Sequence, residues 1–278
     1  MHGRRASYLL IAPAAAIFGA LFVLPFGYFL VISFWVVKTY QLTPDFTPAN
    51  YVKTYDSYLE VGLFTLAIAA VIALATTVMS FVYAYLIRFR AGSWGPALLF
   101  VALVTLFGGY LMKIYAWKTI LGNEGMLNSA LQTLGIIEAP LDWLLYSPGA
   151  VVVTLIHFLL PLAVLPIYGS LRGVTDSAID AARDMGARPW QVLVDIIVPQ
   201  CRPGLIAAFL FCFLVAAGDY VTPLLVGGKI NMIGTLIAPQ FGNFFNWPLG
   251  SAMSFVVLGM ALAMLAIVQG AMSLWRPR

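Results

Sequence analysis

The sequence predicts an all-α polytopic membrane protein with six transmembrane helices. Its 278 residues are 62% hydrophobic and only 9% charged, whereas a soluble domain carries about a quarter charged residues. Mean hydropathy is +0.94. Six apolar runs reach the roughly 20 residues needed to cross a bilayer, and the basic residues between them sort by type onto alternating sides.

The runs are 8–37, 62–87, 96–121, 148–171, 205–226 and 250–274. The first follows Arg4 and Arg5 and contains Ala12-Pro13-Ala14-Ala15-Ala16, as a secretory signal can. It continues well past an h-region of about 7–15 residues, so it reads as a retained helix, bent or broken near Pro25. Six spans put both chain ends, the loop near Arg88 and the loop 173–204 on one side. That side holds all ten arginines, and the other holds Lys38, Lys53, Lys113, Lys118 and Lys229. The eleven acids divide four and seven, giving net charges of +6 and −2. Basic residues favour the cytoplasm, so both termini are expected inside.

The long outer segments 38–61 and 122–147 mix Pro, Asn, Asp and aromatic residues and read as folded caps over an opening. No internal repeat or Gly/Ser linker divides the chain, so residues 1–278 are expected to form a single transmembrane domain. The net charge of +4 is spread over segment ends and forms no basic patch, which argues against nucleic acid as a partner. Cys201 and Cys212 lie eleven residues apart, about 16 Å along a helix, too far for a disulfide. They read as small buried hydrophobes, with no metal-ligand spacing.

Against this apolar background the stretch Asp180 to Pro199, DAARDMGARPWQVLVDIIVP, holds five of the twenty-six charged side chains. Asp176 or Ser177 can cap a short helix, Ser177-x-x-Asp180 fits a capping box, and Gly186 stands where a left-handed residue would end it. That helix would be about 13 Å long. Pro189 suits the first turn of a second helix with Trp190, Leu193, Val194 and Ile197 as its apolar stripe. Pro199 and Pro203 are expected to stop or bend that helix before the fifth span. The residues leave two readings open: an interfacial helix pair meeting water and headgroups, or a stiff docking surface for a cytoplasmic protein.

Asp180-Ala181-Ala182, three residues, Gly186, nine residues, then Ile196-x-Val198-Pro199 resembles the EAA motif of ABC importer permeases. Asp stands for Glu at 180 and Val for Leu at 198. The stretches 115–131, 160–171, 218–228 and 246–254 are similar to the spermidine/putrescine branch of that family, in the first of its two permease subunits. The resemblance implies the MetI-like bundle and a bacterial inner-membrane location. It makes 173–204 a cytoplasmic coupling loop in which Asp180, Ala181, Ala182, Arg183, Asp184 and Gly186 dock on a separate ATPase. The implied partners are an ABC ATPase dimer, a second permease subunit, a periplasmic or extracellular substrate-binding protein and membrane lipid. The implied cargo is a polyamine or a related amine, moved by alternating access; opine-like and other small organic solutes remain alternatives.

No nucleotide site is legible in the chain itself. The nearest match to a phosphate loop is Gly227-Gly228-Lys229-Ile230, with Pro223 where the first Gly belongs and Ile230 where a magnesium-binding Ser or Thr belongs. The chain is therefore expected to be no enzyme and to bind no cofactor, with ATP and magnesium used by the partner. The competing class is a stand-alone secondary transporter or channel, which needs coupling residues inside its spans. Asp219 and His157 are the candidates. Asp219, with Tyr220, precedes a break expected from Pro223, Gly227 and Gly228. It can hold an ammonium on the substrate path, or serve as a structural partner for Lys113 or for freed backbone amides. His157 reads as a hydrogen-bonded packing residue. Lys113 and Lys118 are expected to snorkel, and Tyr110, Tyr115 and Trp117 to form an interfacial belt. Pro161 and Pro166 are expected to bend the fourth span into a lever.

Overall fold

The structure, a computed structural model, describes residues 12–39 and 41–274, with side chains through residue 270. The expected placement of the two chain ends, with Arg4, Arg5, Arg276 and Arg278, lies outside the described residues. In chain order the helices are α1 (Ala12–Ile32), α2 (Ala49–Phe89), α3 (Gly95–Phe107), α4 (Tyr110–Leu121), α5 (Met126–Thr133) and α6 (Pro148–Leu171). They continue with α7 (Asp176–Asp184), α8 (Pro189–Gly218), α9 (Val221–Val226), α10 (Ile233–Gly242) and α11 (Trp247–Leu274). A short antiparallel hairpin, β1 (Val36–Lys38) with β2 (Gln41–Thr43), joins α1 to α2.

Among the described residues five helices are long and apolar enough to span a membrane, or six if α3 and α4 with α5 count as one broken span. The expected third span is therefore not a single rod. It breaks by 95° at Gly108-Gly109, where both glycines adopt extended backbone and end the hydrogen-bonded ladder. The second run is longer than expected, because α2 begins at Ala49 and carries its first three turns through polar sequence.

Two helices accommodate a proline in the same way. A π turn at Gly19–Val23 precedes Pro25, and another at Val192–Ile197 precedes Pro199. Proline lacks an N–H and crowds the carbonyl four residues back, and a wider turn just upstream relieves both. Neither helix stops, so of the alternatives expected, a bend or a break near Pro25 and a stop or a bend at Pro199 and Pro203, the interruption does not occur and the helices widen locally instead. Likewise α6 runs unbroken through Pro161 and Pro166.

Backbone proximity divides the chain into two compact units, residues 1–60 with 236–260, and residues 61–235 with 261–278. In the first, the Phe29 ring lies 5.9 Å from Phe241 and 6.4 Å from Trp247, and Phe26 meets Phe255 edge-on at 4.9 Å. Asn50 ties the end of α1 to the hairpin by donating to the carbonyls of Ser33 (2.9 Å) and Trp35 (2.8 Å). In the second, α6 packs along α8. A side chain at Gly204 would collide with the Pro166 carbonyl and Ser170 Oγ, so the missing Cβ permits the close approach. Cys201 and Cys212 are free and buried, and Cys201 Sγ donates across this seam to the Ile167 carbonyl at 3.7 Å. Segment 122–147 is folded around Asn128, which donates to the Gly122 carbonyl (3.0 Å) and accepts from the Leu141 amide (2.9 Å).

Candidate functional site

The charged elbow is a nine-residue helix, α7, closed by glycine. The cap is Thr175 rather than Asp176 or Ser177, and no side chain caps the helix, so the expected capping box does not form. Asp176 is instead drawn away: its Oδ1 accepts from Arg88 Nη2 of α2 at 3.0 Å, and the same guanidinium reaches the Val174 carbonyl at 3.4 Å. The far end behaves as expected. Gly186 has φ +86° in open space, while the amides of Gly186 and Ala187 return to the carbonyls of Arg183 (2.8 Å) and Ala182 (3.0 Å). This is the Schellman closure, and it needs a residue that tolerates the left-handed region.

The amphipathic split of α7 decides what it presents. Ile179 and Ala182 are buried. Asp180 and Arg183, paired at 3.5 Å, stay 66% and 65% exposed, with Ala181 and Asp184 beside them. Met185, which the sequence reading passed over, projects beyond them at 83% exposure. Five of the six motif residues thus form one outward surface or its glycine hinge, and Ala182 seats it.

Pro189 opens α8 as expected, with the Arg188 amide donating to Gln191 Oε1 at 2.7 Å. The stripe Trp190, Leu193, Val194 and Ile197 is not the buried face. Val192 and Ile197 are buried, whereas Trp190 and Val194 are exposed. The π turn shifts the inward face to a spacing of five residues, and lipid imposes no cost on the apolar side chains left outside.

The second cluster surrounds Asp219. The helix breaks at Asp219-Tyr220, four residues earlier than Pro223, because Asp219 turns to extended backbone and α9 starts at Val221. Pro223 sits in the first turn of α9, where an N–H is not needed. Asp219 Oδ1 accepts from the Tyr110 hydroxyl at 2.5 Å and from the Val221 amide at 3.1 Å. The Tyr110 oxygen also lies 2.8 Å from Thr222 Oγ1. Asp219 Oδ2 is buried with no protein partner. A cavity of about 310 Å³ opens here, with Tyr110, Phe158, Asp219 and Tyr220 in its walls. Tyr220 is 45% exposed, and Gly234 allows the start of α10 to approach its Cβ.

Lys113 does not snorkel. It is 7% exposed, its Nζ lies 5.5 Å from the centre of the Phe158 ring, and it has no hydrogen-bond partner. It makes no ion pair with Asp219, so the structural-partner reading of that carboxylate holds only for the Val221 amide. Of the three residues expected to form a belt, Tyr115 is exposed, Tyr110 lies 4.7 Å from Phe158 with the rings tilted, and Trp117 Nε1 donates to His157 Nδ1 at 3.1 Å. Tyr110 was not legible as a partner of Asp219, nor Thr222 as a partner of Tyr110; the only signal was a polar residue beside each helix break. Among the described residues no group of three His, Cys, Asp or Glu could hold a metal ion.

The fold is shared with a chain of a bacterial ABC transporter involved in the import of the acidic polysaccharide alginate. The TM-score is 0.77 at 14% identity, covering 96% of this chain and 94% of that one. A chain of a bacterial alginate ABC transporter in complex with an alginate pentasaccharide-bound periplasmic protein gives 0.75 at 15% identity, over 94% of this chain and 92% of that one. Residues 89–278 match the family model of the binding-protein-dependent transport system inner membrane component. The chain is also 37% identical over 222 residues to the spermidine/putrescine transport system permease protein PotB of Escherichia coli (strain K12), covering 78% of this chain and 80% of that protein. The chain belongs to the binding-protein-dependent transport system inner membrane component family. It is a multi-pass membrane component of a transport system, and the elbow falls within the matched residues.

Proposed function

We propose that the chain is the translocation subunit of an ATP-driven importer that brings spermidine, putrescine or a related amine cation into the cytoplasm. One observation carries the cargo: Asp219 Oδ2 is a buried carboxylate oxygen without a protein partner, and Asp219, Tyr110 and Phe158 all line one cavity. A buried carboxylate oxygen left unpaired is costly, and an ammonium satisfies it while resting on an aromatic face. The name of the Escherichia coli relative points to the same class of cation. In this reading Asp219 and Tyr220 lie on the substrate path.

The elbow is the coupling surface. Asp180, Ala181, Arg183, Asp184 and the Gly186 corner would meet a separate ATPase dimer that uses ATP and magnesium, with residues 173–204 and both termini on the cytoplasmic side. A second permease subunit would complete the path, and a substrate-binding protein would deliver cargo from the opposite face. Closure of the ATPases would move α7, and through α8 the break at Asp219, so that the cavity faces each side in turn.

A second reading of the cargo has its own support. Lys113 is a buried ammonium without a hydrogen-bond acceptor, and its neighbour Phe158 also lines the cavity. An opine-like solute, carrying an amine and a carboxylate, would satisfy both charges. Uptake into vesicles reconstituted with the permease pair, ATPase and binding protein separates these readings: ATP-dependent uptake of labelled spermidine or putrescine is expected. Selective uptake of an opine-like zwitterion would favour the second. Transport by this chain alone, without an ATPase, would overturn both in favour of a secondary transporter or channel.

A further inference from the structure

At the end of α2 an apolar surface runs directly into charge. A cleft of about 550 Å³ lies between the last turn of α2 and the elbow, with Arg88, Arg90, Arg183, Asp176 and Asp180 in its walls. Two guanidiniums are matched, Arg88 by Asp176 at 3.0 Å and Arg183 by Asp180 at 3.5 Å. Arg90 forms no ion pair among the described residues, so the cleft keeps one uncompensated positive charge.

Tyr85 and Pro189 belong both to this cleft and to a second hollow of about 290 Å³, whose other walls are Phe81, Val82, Trp190 and Leu193. The two hollows, one charged and one apolar, are therefore neighbours on either side of Tyr85 and Pro189. The apolar one opens outward, with Val82 51% and Trp190 59% exposed. Such a slot would be unfavourable against water, and α2, which contributes Phe81, Val82 and Tyr85 to it, is long and apolar enough to span a membrane. Arginine, tyrosine and tryptophan at one level also mark the headgroup boundary.

We infer that the neighbouring hollows form a phospholipid site, with the phosphodiester on Arg90 in the charged cleft and one acyl chain along Phe81, Val82, Trp190 and Leu193. A guanidinium pairs well with phosphate oxygens, and among the described residues no apolar side chain fills the slot. The bound lipid ties the end of α2 to α7 and α8, the same elements that Arg88 links through Asp176. This assignment does not depend on the cargo.

The test uses the assembled transporter and phosphatidylglycerol carrying a photoreactive acyl chain. Native mass spectrometry of the wild type is expected to retain this lipid through detergent exchange, with cross-links mapping to 81–85 and 190–193. Arg90→Gln is expected to lower retention about tenfold, the worth of one charge-assisted hydrogen bond. Val82→Trp, which fills the slot, is expected to abolish the cross-links while subunit composition stays intact by size exclusion. Equal retention in the wild type and both variants overturns the assignment, as does a wild-type cross-link map that lacks 81–85 and 190–193. The wild-type cross-link map decides the question even if a variant fails to assemble.

Discussion

The Tyr110 hydroxyl donates to Asp219 Oδ1 at 2.5 Å, joining residues 109 positions apart. It joins the first residue after one helix break to the residue that ends α8 at another. Each residue lies beside a gap in a backbone ladder, and together they leave one carboxylate oxygen facing no protein donor. Asp219→Asn is expected to lower uptake of a cationic cargo by at least about tenfold, since the amide removes the charge that pairs with an ammonium. Complex assembly should be unchanged. Unaltered uptake would remove Asp219 from the path.

Tyr110→Phe deletes one of the two hydrogen bonds on Oδ1 and keeps the ring on Phe158. The expected result is a severalfold loss of transport, smaller than for Asp219→Asn, with a thermal shift corresponding to about 1.5–3 kcal/mol for a bond to a charged group. Equal losses in the two variants would mean that Tyr110 does more than hold the carboxylate. Transport and melting curves of both proteins, measured side by side, check this.

Gly186 holds φ +86° with nothing within reach of an added Cβ, so substitution introduces strain without a clash. Gly186→Ala is expected to cost about 1–2 kcal/mol at the elbow, and Gly186→Asn less, because Asn tolerates the left-handed region. Cargo-stimulated ATP hydrolysis by the complex should fall in that order, glycine above asparagine above alanine. A reversed order would indicate that side-chain volume, and not backbone strain, governs the corner.

Arg88 and Asp176 span the gap between α2 and the elbow, but Asp176 is 71% exposed. A double-mutant cycle with Arg88→Gln and Asp176→Asn is expected to give a coupling energy of only about 0.2–1 kcal/mol. Arg88→Gln alone should cost more than Asp176→Asn, because it also surrenders the Val174 carbonyl. Equal single costs would argue that the carbonyl contact contributes nothing.

Gly204 lies in the tight seam between α6 and α8. Gly204→Val is expected to destabilise the subunit by about 1–3 kcal/mol through overpacking against Pro166 and Ser170. The readout is a lowered melting temperature with loss of assembled complex. An unchanged melting temperature would mean the seam opens freely.

Much of this was legible before any coordinates. Hydropathy alone reveals the spans, because a bilayer demands long apolar runs. The spacing from Asp180 through Gly186 to Pro199 marks the elbow, because a short helix closed by a left-handed glycine is a local matter of backbone sterics. What failed was equally physical. Prolines were read as bends or breaks, yet Pro25 and Pro199 are passed by π turns without a break, and the helix likewise continues through Pro161 and Pro166, where only a bend was expected. The true breaks fall at Gly108-Gly109 and at Asp219, where extended backbone and a side-chain acceptor replace the ladder.

The sequence by itself determined the membrane class, the helical composition, the position of the charged elbow and the turn that closes it, all consequences of composition and short-range geometry. Only the tertiary structure decided which polar residues meet. Asp219 found Tyr110 and not Lys113, Trp117 found His157, and Arg88 took Asp176 from its capping role. Such pairings depend on how helices far apart in sequence are rotated and spaced when they pack. That rotation is set by small residues such as Gly204 and Gly234 and by π turns, whose effects on register no single stretch of sequence discloses.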